Sequence, residues 1–305
     1  MTIPMVFSDE VAAARKSGTA IVALESTIIT HGMPFPQNVG TARIVEQDVR
    51  DGGATPATIA VMNGKLHIGL EADELDSLGQ AQHVAKLSRA DIAACIATGG
   101  TGATTVAATM IAAQLAGISV FATGGIGGVH RGAETTFDIS ADLHVLAQTA
   151  VTVVASGAKA ILDLEKTFEV LETLGVPVIA YGQDTLPAFW SATSDMPAPL
   201  RMDTAAQIAS AQIMRTAMGL AGGQLICNPI PKEAEIAAAV LAPVIAQALA
   251  EAEAQKISAK AVTPFLLDRI FNLTEGRSLT SNIALVRNNA RLAAEIAAEM
   301  VKQQG

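Results

Sequence analysis

The chain has 305 residues, half of them hydrophobic and only 3% aromatic, which suits a large core of small aliphatic side chains and favours helices packed on a sheet over an all-β sandwich. A formal net charge of −9 and a pI near 5.0 argue against a nucleic-acid backbone or an anionic membrane as partner, while leaving room for a small phosphorylated ligand in a local positive pocket. The two cysteines, Cys95 and Cys227, each lie in an apolar run, so neither C-x-x-C metal spacing nor a disulfide framework is expected. The opening "MTIPMVFSDEVAAARKSG" lacks the basic-then-apolar order of a secretory leader, and a cytoplasmic protein is expected.

In chain order, Ala20–Leu24 predicts a short buried strand and Val39–Arg50 a helix. The segment "ATIAVMNGKLHIGL" predicts two strands joined at Asn63-Gly64, a strong hairpin dipeptide. From Ile92 to Val129 no side chain is charged, but glycine clusters break the run, which reads as strand, loop, buried helix (Ala103–Ala116), strand and second loop. The runs "DIAACIAT", "GISVFAT", "VTVVAS" and "VPVIAYG" predict four further strands, with a helix over Ala158–Leu174. "QDTLPAFWSATSDMPAPL", with three prolines and the only Trp, reads as an ordered loop or lid. Beyond it the chain reads as helical, over Asp203–Leu220, Lys232–Gln255 with a bend at Pro243, and Ser281–Lys302. The alternation predicts one α/β domain over residues 1–305, with a mostly parallel sheet flanked by helices and a helical C-terminal region.

Ligands of parallel sheets bind at the carboxyl ends of the strands, so the residues following each strand are the candidates. These are Glu25-Ser26-Thr27, Thr98-Gly99-Gly100-Thr101-Gly102, Thr123-Gly124-Gly125 and Ser156-Gly157-Ala158-Lys159. The two glycine turns are nearly the same sequence, and glycine lets backbone N–H groups approach an anion; tight turns that need positive φ would explain either one equally well. Neither turn has dinucleotide or Walker spacing. Glu25, just after a buried strand, would be partly desolvated and suited to acid–base work, unless it pairs with a helix end. Along the predicted helix, Ile161, Leu164, Phe168 and Leu171 form the apolar stripe, so periodicity alone makes Lys159 and Lys166 both surface lysines. Lys159 stands in the first turn, where the positive helix end disfavours a protonated amine. Asp138 and Asp142, four apart in "TTFDISADLH", are oxygen ligands suited to Mg²⁺ or Mn²⁺, or else a solvated acidic loop. Lys86 could reach a phosphate as a point charge, and a helix starting near Thr280 or Ser281 would put Asn282 at a positive helix end.

Six ordered motifs, "ALESTIITHGMPFPQN", "ATGGTGATTVAATM", "FATGGIGGVHRGAETTFDISADL", "VVASGAKAILDLEKTFEVLETLGVPV", "NPIP" and "SLTSNIALVRNNA", closely resemble the pseudouridine-5′-phosphate glycosidase family, also called indigoidine synthase A-like, from about residue 7 to residue 302. The resemblance implies a three-layer α/β/α fold with a mixed, mostly parallel sheet, a homotrimer, and reversible cleavage of pseudouridine 5′-phosphate to uracil and ribose 5-phosphate. It also implies a Lys nucleophile at Lys159, a Glu proton donor at Glu25, and a divalent metal, usually Mn²⁺, at Asp138, with Asp142 in the same motif. Substrate contacts fall on Lys86, Val106, the Ser140-Ala141-Asp142 segment and Asn282; Thr123 and His130, in and just beyond the second glycine turn, are further candidates. The chemistry explains these residue types, because a carbon-linked base needs an electron sink at C1′, which a lysine imine supplies. A lysine-dependent lyase or aldolase on another sugar phosphate, and a non-catalytic phosphosugar-binding module, are the competing readings.

Overall fold

The computed structural model describes residues 2–257 and 262–304. The chain begins with β1 (Met5–Phe7), α1 (Asp9–Ser17), β2 (Ile21–Leu24), α2 (Thr27–His31), α3 (Gln37–Asp51), β3 (Thr55–Met62), β4 (Lys65–Ile68) and α4 (Ala72–Gln80). It continues through β5 (Ala85–Leu87), α5 (Ile92–Ala97), β6 (Gly102–Thr104), α6 (Val106–Ala116), β7 (Val120–Ala122), α7 (Ala133–Thr136), α8 (Ala141–Leu146) and β8 (Thr152–Ala155). Then come α9 (Leu164–Thr173), β9 (Val178–Tyr181), β10 (Leu200–Met202), α10 (Ala205–Ala217), β11 (Gln224–Cys227), α11 (Ala238–Ala254), α12 (Val262–Leu273) and α13 (Arg277–Gln304).

The strands form one sheet in the order β1-β4-β3-β2-β7-β8-β11-β9-β10, with β6 joined to β3 and β5 to β6. Only the β3–β4 and β3–β6 pairings are antiparallel among the described residues, so the sheet is mixed and mostly parallel. Every residue of β7, β8 and β11 is buried. Successive strand residues face opposite sides, so helices must cover both faces there. The β3–β4 turn has positive φ at both Asn63 and Gly64, as a two-residue hairpin of the right twist requires. None of the helices among the described residues is long and apolar enough to cross a membrane.

Four predicted elements are corrected. "DIAACIAT" is the helix α5 and not a strand; its alanines favour a helix, and several of its residues are exposed. The strand lies further on, in β6, whose Ala103 and Thr104 are taken from the start of the predicted Ala103–Ala116 helix. The predicted Ala158–Leu174 helix starts only at Leu164, where the Asp163 side chain accepts the Lys166 N–H at 3.1 Å as N-cap. The last helix begins at Arg277 rather than Ser281. The reading also passed over β11, a four-residue strand at the heart of the sheet, although Gly222-Gly223 and Asn228-Pro229 bracket it.

Helix α13 is tied to α3 by Asp48, whose carboxylate, 6% exposed, pairs with Arg287 at 2.6 Å and Arg291 at 2.7 Å. Asp48 in turn raises the Arg287 guanidinium above its ordinary value. The loop after β9 is ordered, as expected: Phe189 and Trp190 are buried, stack edge to face at 4.9 Å, and the Trp190 indole donates to the Ser278 carbonyl at 3.1 Å.

Candidate active site

Glu25 leaves the end of β2 half-buried. Its two carboxylate oxygens accept from two hydroxyls, Oε1 from Thr123 and Oε2 from Thr27. Beneath it, buried Ser26 donates to the Ile59 carbonyl at 2.7 Å, and its N–H donates to Thr104. The carboxylate therefore has a fixed direction, set by β7 on one side and by the first turn of α2 on the other.

Lys159 is placed by backbone pairing and not by a helix. Past the formal ends of β7 and β8 the two chains stay in register: Ser156 N–H donates to Gly124 at 2.9 Å, Ile126 N–H to Gly157 at 3.1 Å, and Lys159 N–H to Ile126 at 3.1 Å. Gly157 takes φ +79° in this passage, a conformation that suits glycine. Lys159 lies five residues before α9 and so does not stand in the first turn of a helix. Lys166 is exposed outside the cleft and pairs with Asp163 at 2.9 Å and Glu134 at 3.1 Å, contacts that raise its ammonium above the ordinary value.

From the second glycine turn the chain makes an excursion and returns. His130 N–H donates to Asp138 and Ser140 N–H to Gly128, both at 3.0 Å, so His130 and Asp138 stand side by side at the cleft. Burial lowers the His130 imidazole below its ordinary value; Lys159 and Lys86 push the same way and Asp138 opposes them. Asp142, 6% exposed, accepts the Ala107 N–H at 2.9 Å and the Gly127 N–H at 2.7 Å, clamping the start of α6 to the second turn. Lys86 is on strand β5, opposite Ala103 of β6.

These elements enclose a cleft of about 380 Å³. Glu25, Lys86, Thr123, His130, Asp138 and Lys159 line it, and so do Val106, Ser140, Ala141, Asp142 and Asn282. These eleven candidates thus border one space. The first glycine turn does not: it precedes β6, where Gly100 accepts the Gly64 N–H at 2.8 Å and Thr101 accepts the Asn63 N–H at 3.2 Å, so it buttresses the hairpin. Asn282 reaches the cleft from inside α13, not from its N-terminus. The sequence reading missed the far wall, made by Phe189, by Thr263, Pro264 and Leu267 of α12, and by Val286 of α13. The apolar pattern of "VTPFLLDRIFNL" was the available signal for α12.

The fold and cleft define an α/β protein in which carboxylates, two lysine amines and a histidine meet in one cleft. The indigoidine synthase A like protein profile matches residues 10–299, and the chain belongs to that family. It is 68% identical to the pseudouridine-5′-phosphate glycosidase of Jannaschia sp. (strain CCS1), with 97% of this chain and 98% of the relative covered. It is 69% identical to that of Roseobacter denitrificans, with 98% and 96% covered. Among solved structures, prealnumycin C-glycosynthase AlnA in complex with ribulose 5-phosphate superposes with a TM-score of 0.92 at 38% identity, covering 100% of this chain and 99% of that one. An indigoidine synthase A-like protein from Thermotoga maritima gives a TM-score of 0.89 at 31% identity, covering 98% and 97%.

Proposed function

We propose that this chain is an enzyme that reversibly cleaves the C–C glycosidic bond of pseudouridine 5′-phosphate, giving uracil and ribose 5-phosphate. The observation that carries the reading is the meeting of Glu25, aimed by two hydroxyls, with Lys159 in one cleft. The relatives' names and the ribulose 5-phosphate of the structural neighbour support it.

In this mechanism Lys86 and His130 hold the phosphate end. Glu25 donates its proton to the ribose ring oxygen as the C1′–O bond breaks, and the unprotonated Lys159 amine adds to C1′. The Glu25 carboxylate takes back a proton from the lysine nitrogen once it has added and passes it to uracil C5; the C1′–C5 electron pair then restores the C5–C6 double bond while the amine lone pair forms the C1′ imine. Water then hydrolyses the imine, releasing ribose 5-phosphate and the free lysine.

Asp138 is the residue that would hold a divalent ion, Mn²⁺ by resemblance. Asp142 accepts two backbone N–H bonds, and no group of three His, Cys, Asp or Glu suited to a metal occurs among the described residues. That donor set fits a hard ion that keeps its waters and takes a substrate oxygen. When bound it would screen phosphate and carboxylate charge. Exposed Met214 on α10 and Met218 just after it, 57% and 72% accessible, offer apolar surface for the homotrimer in this reading.

The test is release of uracil from pseudouridine 5′-phosphate by the purified protein. Uracil release supports the reading; cleavage of other sugar phosphates without it would move the chain to the lyase alternative.

A further inference from the structure

Asn289 does not itself line the cleft, yet it bonds from behind to loops that do. It lies on α13 and is fully buried. Its Nδ2 donates to the Thr123 carbonyl at 2.8 Å and lies 3.5 Å from the Gly124 carbonyl and 3.3 Å from Ser156 Oγ. Its Oδ1 accepts from Asn228 Nδ2 at 3.0 Å. Backbone carbonyls only accept, so the amide orientation is dictated by its neighbours. One side chain thereby meets the carboxyl ends of β7, β8 and β11.

Both functional loops hang from those contacts. The Thr123 peptide is pinned at its N–H by the Val154 carbonyl at 3.0 Å and at its carbonyl by Asn289, and its hydroxyl donates to Glu25. Ser156 stands three residues before Lys159, and its N–H is bound to Gly124 at 2.9 Å. Because glycine loops have no side chains to wedge them in place, a fixed outside partner must supply the rigidity that a reacting geometry needs.

We propose that Asn289 is a positioning residue for the reaction. It holds Thr123 so that the hydroxyl meets Glu25 and, through Ser156, fixes the loop that carries Lys159. The proposal rests on the reading above in which Glu25 and Lys159 act. Asn289→Ala should lower kcat for uracil release about 10- to 100-fold with KM within about threefold. In Asn289→Asp the introduced carboxyl can donate to Thr123 only while protonated, so kcat should fall with rising pH along an ionisation absent from the wild type. The control Asn288→Ala, which removes a donor to the Pro229 carbonyl, should keep its kcat. Should the Ala variant fail to fold, the Asp variant's pH profile carries the test. A folded Asn289 variant with kcat within twofold of wild type and no new ionisation would overturn the proposal, as would a loss confined to KM. Should the wild type release no uracil, the functional reading fails while the positioning claim is still decided by a crystal structure of a folded Asn289 variant. Thr123 swung away from Glu25 supports it, and an unchanged contact rejects it.

Discussion

Two stretches of this chain, Ala97-Thr98-Gly99-Gly100-Thr101-Gly102 and Ala122-Thr123-Gly124-Gly125-Ile126-Gly127, are almost alike in sequence and differ in use. The second follows strand β7 and departs from its carboxyl end into the cleft, where it sends one hydroxyl to Glu25 and one backbone carbonyl to Lys159. The first follows a helix and enters strand β6 from its amino end, where it receives the β3–β4 hairpin. Glycine content does not mark a binding loop; the end of the strand to which the glycines attach does.

Substitutions can sharpen that contrast. The largest effect is expected at Glu25, which the second turn aims. Glu25→Gln keeps the shape and removes the transferable proton, so turnover should fall by about 10²- to 10⁴-fold, while ribose 5-phosphate binding, followed by calorimetry, stays near wild type. Loss chiefly of binding would make Glu25 a ligand-positioning group.

The turns themselves come next. A Cβ at Gly127 would overlap the Ser140 side chain and sit 2.8 Å from Asp142 Oδ2, so Gly127→Ala should cost about 100-fold in kcat by displacing the clamp. At Gly99 a Cβ meets open space, and only φ +71° is against it. Gly99→Ala should therefore cost about 1 kcal/mol of stability and leave turnover within about twofold. Equal losses of turnover at both positions would erase the distinction between the turns.

The smallest effect lies away from both. Burial raises Glu46 above its ordinary value, against the Thr58 hydrogen bond and Arg50. A raised carboxyl contributes stability that is full below the unfolded value and lost as pH rises through the folded one. Glu46→Gln should therefore melt higher than wild type at pH 7, and this advantage should shrink toward pH 4.5, the ordinary value. A lower melting temperature at pH 7 would mean that the Arg50 contact outweighs burial.

Much of the fold was legible because β2, β3, β7, β8 and β9 are apolar runs bounded by polar or small residues. What stayed hidden was short. β6 is Gly-Ala-Thr and has no periodicity to read, and α5 is an apolar run too brief for its period to separate helix from strand. The candidate residues were found through motifs and strand ends, yet the reasons for two of them were wrong. Lys159 is positioned by the ladder between Ile126 and Gly157, and Asn282 reaches the cleft from inside a helix. Long-range partners such as Thr123 for Glu25, or Asn289 for Thr123, leave no local pattern in the sequence.

The central claim is that Lys159 is the amine that bonds to C1′. Borohydride added during turnover of pseudouridine 5′-phosphate would reduce the imine and leave a ribose-phosphate adduct, which fragment-ion mass spectrometry can assign to a single lysine. The account predicts the adduct on Lys159, its disappearance in Lys159→Ala together with turnover, and full labelling in Lys166→Ala. An adduct on Lys166, or substantial turnover in Lys159→Ala, would contradict it.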